Sequence, residues 1–374
     1  MSRGRAVGRG GRAAVVAVVM ATAAAVPAAG PARATDPDVL LGVYYGNQGW
    51  AMGDVAAMEA WQGRRHAVVE LFTNWSSTKK TVDNLFNAQL PNVWNNGNVP
   101  LITWEPFTGG ATPADIEVRI ARGDYDAYVR TWAGRLATFL AGGDLRLGTA
   151  DDRRAWVRPG HEANGDWYPW GAAAGGNSPA DYVAMWRRIH GLVAATGVGP
   201  AQLQWVWAAN AEDVGGHAAE AFYPGDAYVD WVAVDGYNWG TSQPWSAWRS
   251  PGEVLGPMVA RLRALAPLKP LAVTETASTS STASGPSLAA KGAWATELFG
   301  WLPANGVRMV VWFNEDKETD WAVFGGGAGD GTFRSGRTRY RTLAAYRTGA
   351  ASPAYAGSDG ANPRRITDAQ FAGR

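Results

Sequence analysis

One segment of the chain, residues 158–170, combines side chains that could cleave a sugar polymer. It reads RPGHEANGDWYPW, so that Glu162 stands next to His161 and three aromatic rings follow closely. A carboxyl group can protonate a glycosidic oxygen, and the flat faces of pyranose rings pack well on aromatic rings. The segment therefore predicts glycoside cleavage. The structural alternative is a core strand that ends in an aromatic-rich turn.

This chemistry needs a second carboxylate, and Glu275 is the best candidate because it lies at the end of the apolar run 271–276. Two carboxyls about 5–5.5 Å apart give hydrolysis with retention of configuration, whereas a gap of about 6.5–9.5 Å gives inversion. The sequence leaves both open, together with the alternative that Glu275 pairs with an arginine inside the fold. Competing acids are Glu105, which ranks next, and Glu70, Glu315 and Glu318.

Strands must position these side chains, and eight short apolar runs indicate where the strands lie. The runs are rich in Val, Leu and Trp and show little strict alternation, which is typical of strands buried on both faces of a parallel sheet. Amphipathic stretches between them predict helices, and two of these begin at Pro179 and Pro251, where a helix tolerates proline. The predicted strands are 40–45, 67–72, 99–104, 155–158, 203–208, 231–235, 271–276 and 307–313, and the clearest helices are 124–141, 179–196, 251–266 and 287–303.

Eight strand–helix units predict a (β/α)8 TIM barrel, an α/β fold with a single catalytic domain over residues 35–350. The fifth unit is the weakest, because residues 210–230 are mostly loop-like. A doubly wound open sheet would show the same alternation, but no Gly-x-Gly-x-x-Gly motif follows the first strand. Residues 351–374 are rich in Ala, Gly, Pro and Arg, and we expect a partly disordered tail there.

A barrel of this kind carries its active site at the carboxyl ends of its strands. The residues predicted at those ends include more acids, aromatic rings and amides than a purely structural barrel requires. We therefore expect them to converge on one rim. They are Trp104, Glu105, Arg158, His161, Glu162, Asn210, Asp235, Tyr237, Trp239, Glu275, Trp312 and Asn314.

The composition narrows the classes of partner. The chain has 374 residues, a formal net charge of +1, and 20 Trp, a residue common where sugars are held. Residues 1–34 hold five of the 34 basic residues and no acidic one, so the rest carries 29 basic and 33 acidic residues, a net charge of −4. We expect no nucleic-acid partner and no anionic membrane partner. Cysteine is absent, which excludes disulfides and thiolate chemistry.

The first 34 residues are typical of a secretory signal peptide. Arginines precede the apolar stretch 13–26, and the small residues Ala32 and Ala34 provide a cleavage site. No adjacent Arg-Arg pair is present, which favours the general secretory route over the twin-arginine route. A membrane anchor is the alternative, but the stretch is short and Pro27 ends it. We expect the mature protein to be secreted, free of the membrane and monomeric.

Metal-assisted and serine-hydrolase chemistry fit the sequence poorly. Only four histidines are present, and Gly165 stands where a zinc protease motif needs its second histidine. No Gly-x-Ser-x-Gly motif occurs. Asp144, Asp151 and Asp152 flank a short turn and could hold calcium, although ordinary solvated acids explain them better. We expect no metal and no cofactor in the reaction.

Four segments between about residues 40 and 323 resemble glycoside hydrolase family 26, and they occur in the family order. Residues 158–170 closely resemble its acid/base motif. Residues 223–239, which run from YPGDAYVDW to DGYNW, resemble its sixth-strand segment. Residues 273–276, VTET, resemble its nucleophile strand, and residues 312–321, WFNEDKETDW, resemble its eighth-strand region.

The resemblance implies a retaining (β/α)8 enzyme with Glu162 as the acid/base after strand 4 and Glu275 as the nucleophile after strand 7. It also implies that Tyr237 hydrogen-bonds the nucleophile. A hydroxyl donor favours the ionised form that a nucleophile needs, and an apolar environment favours the protonated form that an acid needs.

Contacts to the sugar follow from the same resemblance. His161 is expected to contact the sugar at the cleaved bond. Trp312 is expected to stack under the sugar on its non-reducing side, and Trp167 under the sugar on the leaving-group side. The remaining expected substrate contacts are Trp104, Glu105, Arg158, Asp235, Trp239, Asn314 and Trp321.

The resemblance implies a β-linked polysaccharide as substrate, most often β-1,4-mannan and in some members mixed-linkage β-1,3-1,4-glucan or β-1,3-xylan. Residues 99–107 lack the histidine that family mannanases commonly carry near the end of strand 3, and Ala163 replaces the usual methionine. The sequence Trp104-Glu105-Pro is more similar to the glucanase branch. Family frequency still favours mannan. Two further alternatives are a polysaccharide-binding protein without hydrolytic activity and a transglycosylase that uses the same carboxylates.

Overall fold

The structure, a computed structural model, describes residues 39–75, 79–174 and 176–374. Residues 1–34, for which a signal peptide is expected, lie outside this range. Among the described residues, no helix has both the length and the apolar character needed to cross a bilayer.

Eight parallel strands close into a barrel, which confirms the predicted fold. Consecutive strands pair in chain order, and the last pairs with the first, from Leu40 opposite Met309 to Tyr44 opposite Phe313. All eight strands are buried along most of their length, as expected for strands covered on both faces, and the second and third become partly exposed toward their carboxyl ends. The strands are β1 (Val39–Tyr44), β2 (Val68–Trp75), β3 (Val99–Thr108), β4 (Ala155–Pro159), β5 (Leu203–Asn210), β6 (Trp231–Asn238), β7 (Leu271–Ser278) and β8 (Val307–Phe313).

Helices connect the strands, and local sequence signals set where the main ones begin. Ser178 and Ser250 each accept a hydrogen bond from the backbone N–H three residues later, and Asp181 and Glu253 return one, which is the capping-box arrangement. The helices are α1 (Gly53–Gln62), α2 (Lys79–Asn84), α3 (Leu90–Asn96), α4 (Ile116–Arg122), α5 (Asp126–Leu140), α6 (Pro179–Ala194), α7 (Pro251–Leu265), α8 (Leu288–Ala304), α9 (Ala344–Ala350) and α10 (Asp368–Phe371).

The connection between β5 and β6 holds no α-helix, in agreement with its loop-like sequence. It contains two 3-10 turns, Ala219–Phe222 and Asp226–Tyr228. Asp230 accepts a hydrogen bond from the backbone N–H of Trp205 at 2.8 Å, which ties the end of this connection to β5. The barrel is therefore closed although one of its covering helices is reduced to short turns.

Residues 351–374 pack on the barrel, which differs from the disordered tail expected from their composition. Tyr355 and Ala356 form a short strand that pairs in parallel with the first two residues of β1. Phe371, in α10, is buried, and its ring centroid lies 4.8 Å from that of Trp156 in β4. The tail is ordered because a few of its apolar side chains pack against residues at the amino-terminal end of the barrel.

Candidate active site

The turn after β4 brings Glu162 to the carboxyl-terminal rim of the barrel. Gly160 and Glu162 have φ angles of 55° and 54°, so the chain reverses sharply, and for Glu162 this is a strained conformation. The backbone N–H of Glu162 donates to the carbonyl oxygen of Ala208 in β5 at 3.0 Å. The indole N–H of Trp170 donates to the carbonyl oxygen of His161 at 2.7 Å. These bonds hold the strained turn in place.

Two further residues of the motif fix the turn from the side of β5. The side-chain amide of Asn164 donates to the carbonyl oxygen of Asn210 at 3.0 Å and accepts from its N–H at 2.9 Å. A Cβ atom on Gly165 would come within 2.5 Å of the Trp167 ring, so only glycine lets this indole lie so close to the backbone. The indole N–H of Trp167 then donates to Oε2 of Glu162 at 2.9 Å.

The electrostatic environment of Glu162 suits a general acid. Burial raises the pKa of its carboxyl well above the ordinary range, and the negative charges of Glu275 and Asp235 raise it further. The positive charge of Arg158 and the hydrogen bond from Trp167 oppose this shift without reversing it. The carboxyl therefore favours its protonated form, which is the form that donates a proton to a leaving group.

Glu275 lies near the end of β7, opposite Asp235 of β6 in the strand register. The hydroxyl of Tyr237 donates to its Oε2 at 2.6 Å, and Nη2 of Arg158 donates to its Oε1 at 2.5 Å. Donors on both oxygens stabilise a negative charge and hold the carboxylate in one orientation. Glu275 is thus held in one orientation at the cleft, which is what a nucleophile requires.

A buried polar network under the rim holds Arg158. The guanidinium has no solvent exposure, and its donors are shared among three carboxylates and two threonines from neighbouring strands. Burial raises the pKa of Asp235 to about 7 and that of Glu70 well above its ordinary range, while the charge of Arg158 acts against both shifts. The partners of Arg158 are Thr103, Thr274, Glu70, Asp235 and Glu275.

His161 lies beside Glu275 as a neutral ring. Its Nε2 is 3.7 Å from Oε1 of Glu275 and 3.1 Å from the hydroxyl of Tyr168. Burial and the nearby charge of Arg158 hold the pKa of His161 well below its ordinary value. At neutral pH the ring therefore offers one donor and one acceptor and carries no charge.

An open cleft of about 660 Å³ runs over these groups at the carboxyl ends of the strands. Both candidate carboxylates, Glu162 and Glu275, line it. So does Glu105, whose pKa is raised to about 7 by burial and by the charge of Glu275. Aromatic rings dominate the rest of the lining, as expected for a surface that holds pyranose rings. They are Tyr44, Phe72, Trp167, Tyr168, Tyr237, Trp239, Trp245, Phe313 and Trp321.

The structure does not support direct sugar contact for Trp104 and Trp312. Trp104 is fully buried and stacks on Trp132 of α5, with the ring centroids 3.8 Å apart and the planes at 13°. Trp312 is 1% exposed and packs edge-on against Trp294 of α8 at 6.0 Å. Successive side chains of a strand point to opposite faces, so Glu105 and Phe313, one residue later in each strand, line the cleft instead.

Four other residues expected to bind substrate are also buried and bound by the protein, among them His161, which is 1% exposed and does not line the cleft. Arg158 and Asp235 bind each other below the rim. Asn314 accepts from the backbone N–H groups of Val323 and Phe324 and donates to the carbonyl oxygen of Phe324 at 2.8 Å. The chemistry of Arg158, Asp235 and Asn314 therefore lies in positioning the nucleophile and the loop after β8, because no surface is left for a sugar.

Several lining residues were missed by reasoning from the sequence. Tyr44 lies at the end of β1, where strand-end logic applies, but no acid or motif marked it. Gln48 lines the cleft with a φ of 53°, and its amide donates to the hydroxyl of Tyr44 at 2.8 Å. Trp245 and Arg249 lie in the loop after β6, too far from the end of that strand for strand-end reasoning to include them. The only sequence signal for these two residues is that their loop follows a predicted strand.

Residues 68–250 match the sequence profile of glycosyl hydrolase family 26. Endoglucanase H of Acetivibrio thermocellus (strain ATCC 27405) is 34% identical over 289 residues, which are 76% of this chain. The chain belongs to glycosyl hydrolase family 26. The match spans 28% of the length of endoglucanase H. Most of the sequence of endoglucanase H therefore lies outside the match to this family 26 chain.

Other relatives agree with this family assignment. Mannan endo-1,4-beta-mannosidase of Bacillus subtilis (strain 168) is 24% identical over 220 residues, which cover 54% of this chain and 59% of that protein. The catalytic domain of the GH26 endo-beta-1,4-mannanase from Bacillus sp. JAMB-750 superposes with a TM-score of 0.59 at 19% identity, covering 85% of this chain and 87% of that one. The structural likeness shows that the family 26 chain shares its barrel fold.

A metal site would need a cluster of His, Asp or Glu side chains in the described part of the family 26 chain. No group of three or more His, Asp or Glu side chains there is arranged to hold a metal ion. In the turn flanked by Asp144 and Asp151, Asp151 accepts hydrogen bonds from the backbone N–H groups of Gly143 and Asp144, at 2.6 and 3.1 Å. Asp151 thus stabilises the turn through backbone hydrogen bonds.

Proposed function

We propose that the protein is a secreted, retaining endo-β-glycanase that works by double displacement. The observation that carries this proposal is the contrast between two carboxyls at one cleft. Glu162 is buried with a raised pKa, whereas Glu275 receives donors from Tyr237 and Arg158 on its two oxygens. An acid that keeps its proton, next to a carboxyl that two donors hold in place, is the basis for assigning the acid and the nucleophile.

The reaction follows in two steps that balance. In the first, an oxygen of Glu275 attacks the anomeric carbon while Glu162 gives its proton to the glycosidic oxygen, and the leaving sugar departs. In the second, the ionised Glu162 takes a proton from water, the water oxygen attacks the anomeric carbon, and the bond to Glu275 breaks. Tyr237 and Arg158 orient Glu275 throughout.

A β-glucan is the first candidate substrate, and β-1,4-mannan is the second. The relative named an endoglucanase is 34% identical, compared with 24% for the relative named a mannan mannosidase. The end of β3 presents Glu105 to the cleft and has no histidine there, which departs from the mannanase pattern. Mannan stays a candidate because the family resemblance favours it. In addition, this chain matches only 28% of the length of the protein named an endoglucanase, so that name need not describe the matched part.

Secretion is part of the proposal and rests on the sequence of residues 1–34. Expression of the full chain in a bacterium, followed by mass spectrometry of the protein in the medium, tests it. We expect a mature amino terminus near residue 35. A full-length protein that stays in the cell would contradict it.

Reducing-end release from galactomannan, barley β-glucan and β-1,3-xylan, measured side by side, tests the activity. We expect the highest rate on β-glucan. Activity on galactomannan alone would reverse the order of the two candidates. Binding to any of these polymers without release of reducing ends would contradict hydrolysis and favour a polysaccharide-binding protein.

The stereochemistry and the second step need their own measurement. NMR of the products at early times should show the β-anomer first, because double displacement retains configuration. Initial appearance of the α-anomer would contradict the role of Glu275 as nucleophile. Product analysis with an added acceptor sugar shows whether water or a sugar completes the second step, and we expect water to dominate.

A further inference from the structure

We infer that Trp245 forms a distal sugar-binding subsite of the cleft, for a pyranose of a β-linked chain beyond the sugars at the cleaved bond. This inference rests on the proposed function and deepens it. Of the 20 Trp of the chain, all in its described part, Trp50, Trp167 and Trp245 are exposed. Trp167 and Trp245 both line the same cleft.

An unbroken series of aromatic rings leads from the nucleophile to Trp245. Tyr237, which donates to Glu275, has its ring centroid 5.1 Å from that of Trp321 and 6.1 Å from that of Trp239. The centroid of Trp245 lies a further 5.3 Å from that of Trp239. A sugar chain that extends from Glu275 along this path meets the partly exposed rings of Tyr237 and Trp239 before it reaches Trp245.

Trp245 is exposed although its loop is held by many hydrogen bonds. The hydroxyl of Ser246 donates to the carbonyl oxygen of Gly240 at 2.8 Å, and the backbone N–H of Arg249 donates to the side chain of Asn238 at 3.0 Å. The indole N–H of Trp294 donates to the carbonyl oxygen of Arg249 at 2.9 Å. A held loop presents the indole in a fixed place, and little entropy is lost when a sugar binds it.

Polar groups that can bind sugar hydroxyls line the same cleft as this indole. Arg249 and Glu212 form an ion pair between the loops after β6 and β5, and both line the cleft. Aromatic surface next to a few fixed polar groups is the usual composition of a small-molecule subsite, where the ring supplies contact area and the polar groups fix orientation. The class of ligand is therefore a neutral pyranose, bound by its flat face.

Binding to an inactive parent tests the subsite without interference from hydrolysis. The parent carries Glu275→Ala, and Trp245→Ala, Trp245→Phe and Trp50→Ala are made in it. Calorimetric titration uses manno-, cello-, mixed-linkage gluco- and β-1,3-xylo-oligosaccharides of three to six residues. Trp50 is the matched control, since it is 51% exposed and does not line the cleft.

We expect a loss that grows with chain length. For the hexasaccharide that the parent binds best, Trp245→Ala should raise Kd about five- to tenfold, and Trp245→Phe by less, as for the loss of one aromatic stacking contact. For the trisaccharide of that series the rise should be smaller, and Trp50→Ala should match the parent at every length. Equal Kd values for parent and Trp245→Ala, or an equal loss at all lengths, would overturn the inference.

The same proteins separate this inference from the proposed function. If the chain with Glu275 restored hydrolyses a polymer but Trp245→Ala shows no length-dependent loss, the subsite fails and the function stands. If it hydrolyses none while the length-dependent loss is present, the function fails and the subsite stands. Failure of the parent to bind any of the four series would overturn both.

Discussion

At the scale of single residues, the site depends on one buried cation. Arg158 is shared by Glu70, Asp235 and Glu275, and so a single guanidinium orients the nucleophile and partly compensates two further buried acids. Buried charges persist only when paired and hydrogen-bonded, and this network meets that requirement through the two threonines as well. The donors of Arg158 are therefore occupied by protein groups, which leaves substrate recognition to the cleft lining.

Removal of either carboxylate should abolish most of the activity for different reasons. Glu275→Ala removes the nucleophile, and we expect kcat on the best polymer to fall on the order of 10⁴-fold or more. Glu162→Ala should cost on the order of 10²–10⁴-fold on the polymer, but much less on an aryl glycoside whose leaving group needs no proton. Steady-state kinetics on both substrates measure this. Normal turnover of Glu275→Ala would disprove its assignment.

The pH profile should respond to Trp167 in a definite direction. An acid must be protonated to act, so activity is lost as pH rises through the raised pKa of Glu162. The hydrogen bond from Trp167 lowers that pKa, and Trp167→Phe removes the bond while keeping a ring. We expect the alkaline limb of kcat/KM to move about 0.5–1 pH unit upward. The Trp50→Phe control should leave the limb in place, and a downward movement in Trp167→Phe would contradict the argument.

At the scale of elements, α4 contains a carboxyl with no evident partner in the described structure. Glu117 is fully buried near the start of α4, and neither of its oxygens has a hydrogen-bond partner. Burial, with a further contribution from the charge of Asp181, raises the pKa of Glu117 to about 9. Because the folded pKa lies above the unfolded value, the folded protein holds a proton there that the unfolded chain releases at neutral pH.

Stability should therefore fall with rising pH in a way that Glu117→Gln removes. The contribution of Glu117 is fully present below about pH 4.5 and is lost progressively up to about pH 9. At pH 7 we expect Glu117→Gln to raise the free energy of unfolding by on the order of 2–3 kcal/mol, and by almost nothing at pH 4. Urea unfolding at several pH values measures this, with Glu297→Gln, on the exposed face of α8, as control. An equal effect at pH 4 and pH 8 would contradict the assignment.

The tail is the second element whose packing can be tested. Phe371 of α10 is 2% exposed between Trp156 and the guanidinium of Arg154, whose carbon lies 4.9 Å from the ring centroid. Loss of a large buried ring typically costs about 3–5 kcal/mol. We expect Phe371→Ala to lower the free energy of unfolding by that amount. Leu268→Ala, at a 90% exposed site, should change it by less than about 0.5 kcal/mol. Similar stabilities for both variants would indicate a detached tail.

At the scale of the whole molecule, the cleft has an acidic character. Its two cations, Arg249 and Lys317, are each paired with a glutamate. The lining glutamates are Glu105, Glu162, Glu212, Glu275, Glu315 and Glu318. These glutamates outnumber the two cations even with Glu162 protonated, and a lining with net negative charge repels anionic ligands. The site therefore favours neutral polysaccharides over those that carry uronic acids.

A negatively charged derivative of the preferred polymer tests whether the acidic cleft repels anionic substrates. We expect kcat/KM on its carboxymethylated form to be several-fold lower than on a hydroxyethylated form of equal substitution, which controls for bulk. The difference in kcat/KM between the two derivatives should become smaller at about 0.5 M salt, because screening shortens the range of the repulsion. Equal rates on the two derivatives at low salt would show that the charge of the cleft does not affect substrate choice.

The barrel and much of the site could be predicted because their signals are local. Buried parallel strands are continuous apolar runs, and all eight were recognised within a few residues of their observed ends. Serine and proline marked the starts of α6 and α7. In a parallel barrel the carboxyl ends of all strands lie at one rim. The sequence therefore predicts Glu162 and Glu275 at the same rim, although they are far apart in the chain.

What the sequence by itself determined is thus the barrel, its rim and the place of Glu162 and Glu275 in the lining of the cleft. Only the tertiary structure decided which of two neighbouring residues faces the cleft, as for Trp312 and Phe313. In a strand buried on both faces, apolar residues occupy both sides, so no periodic signal distinguishes them. The tertiary structure also decided that Arg158 serves the nucleophile, because its acid partners come from three other strands and are brought to it only when the barrel closes.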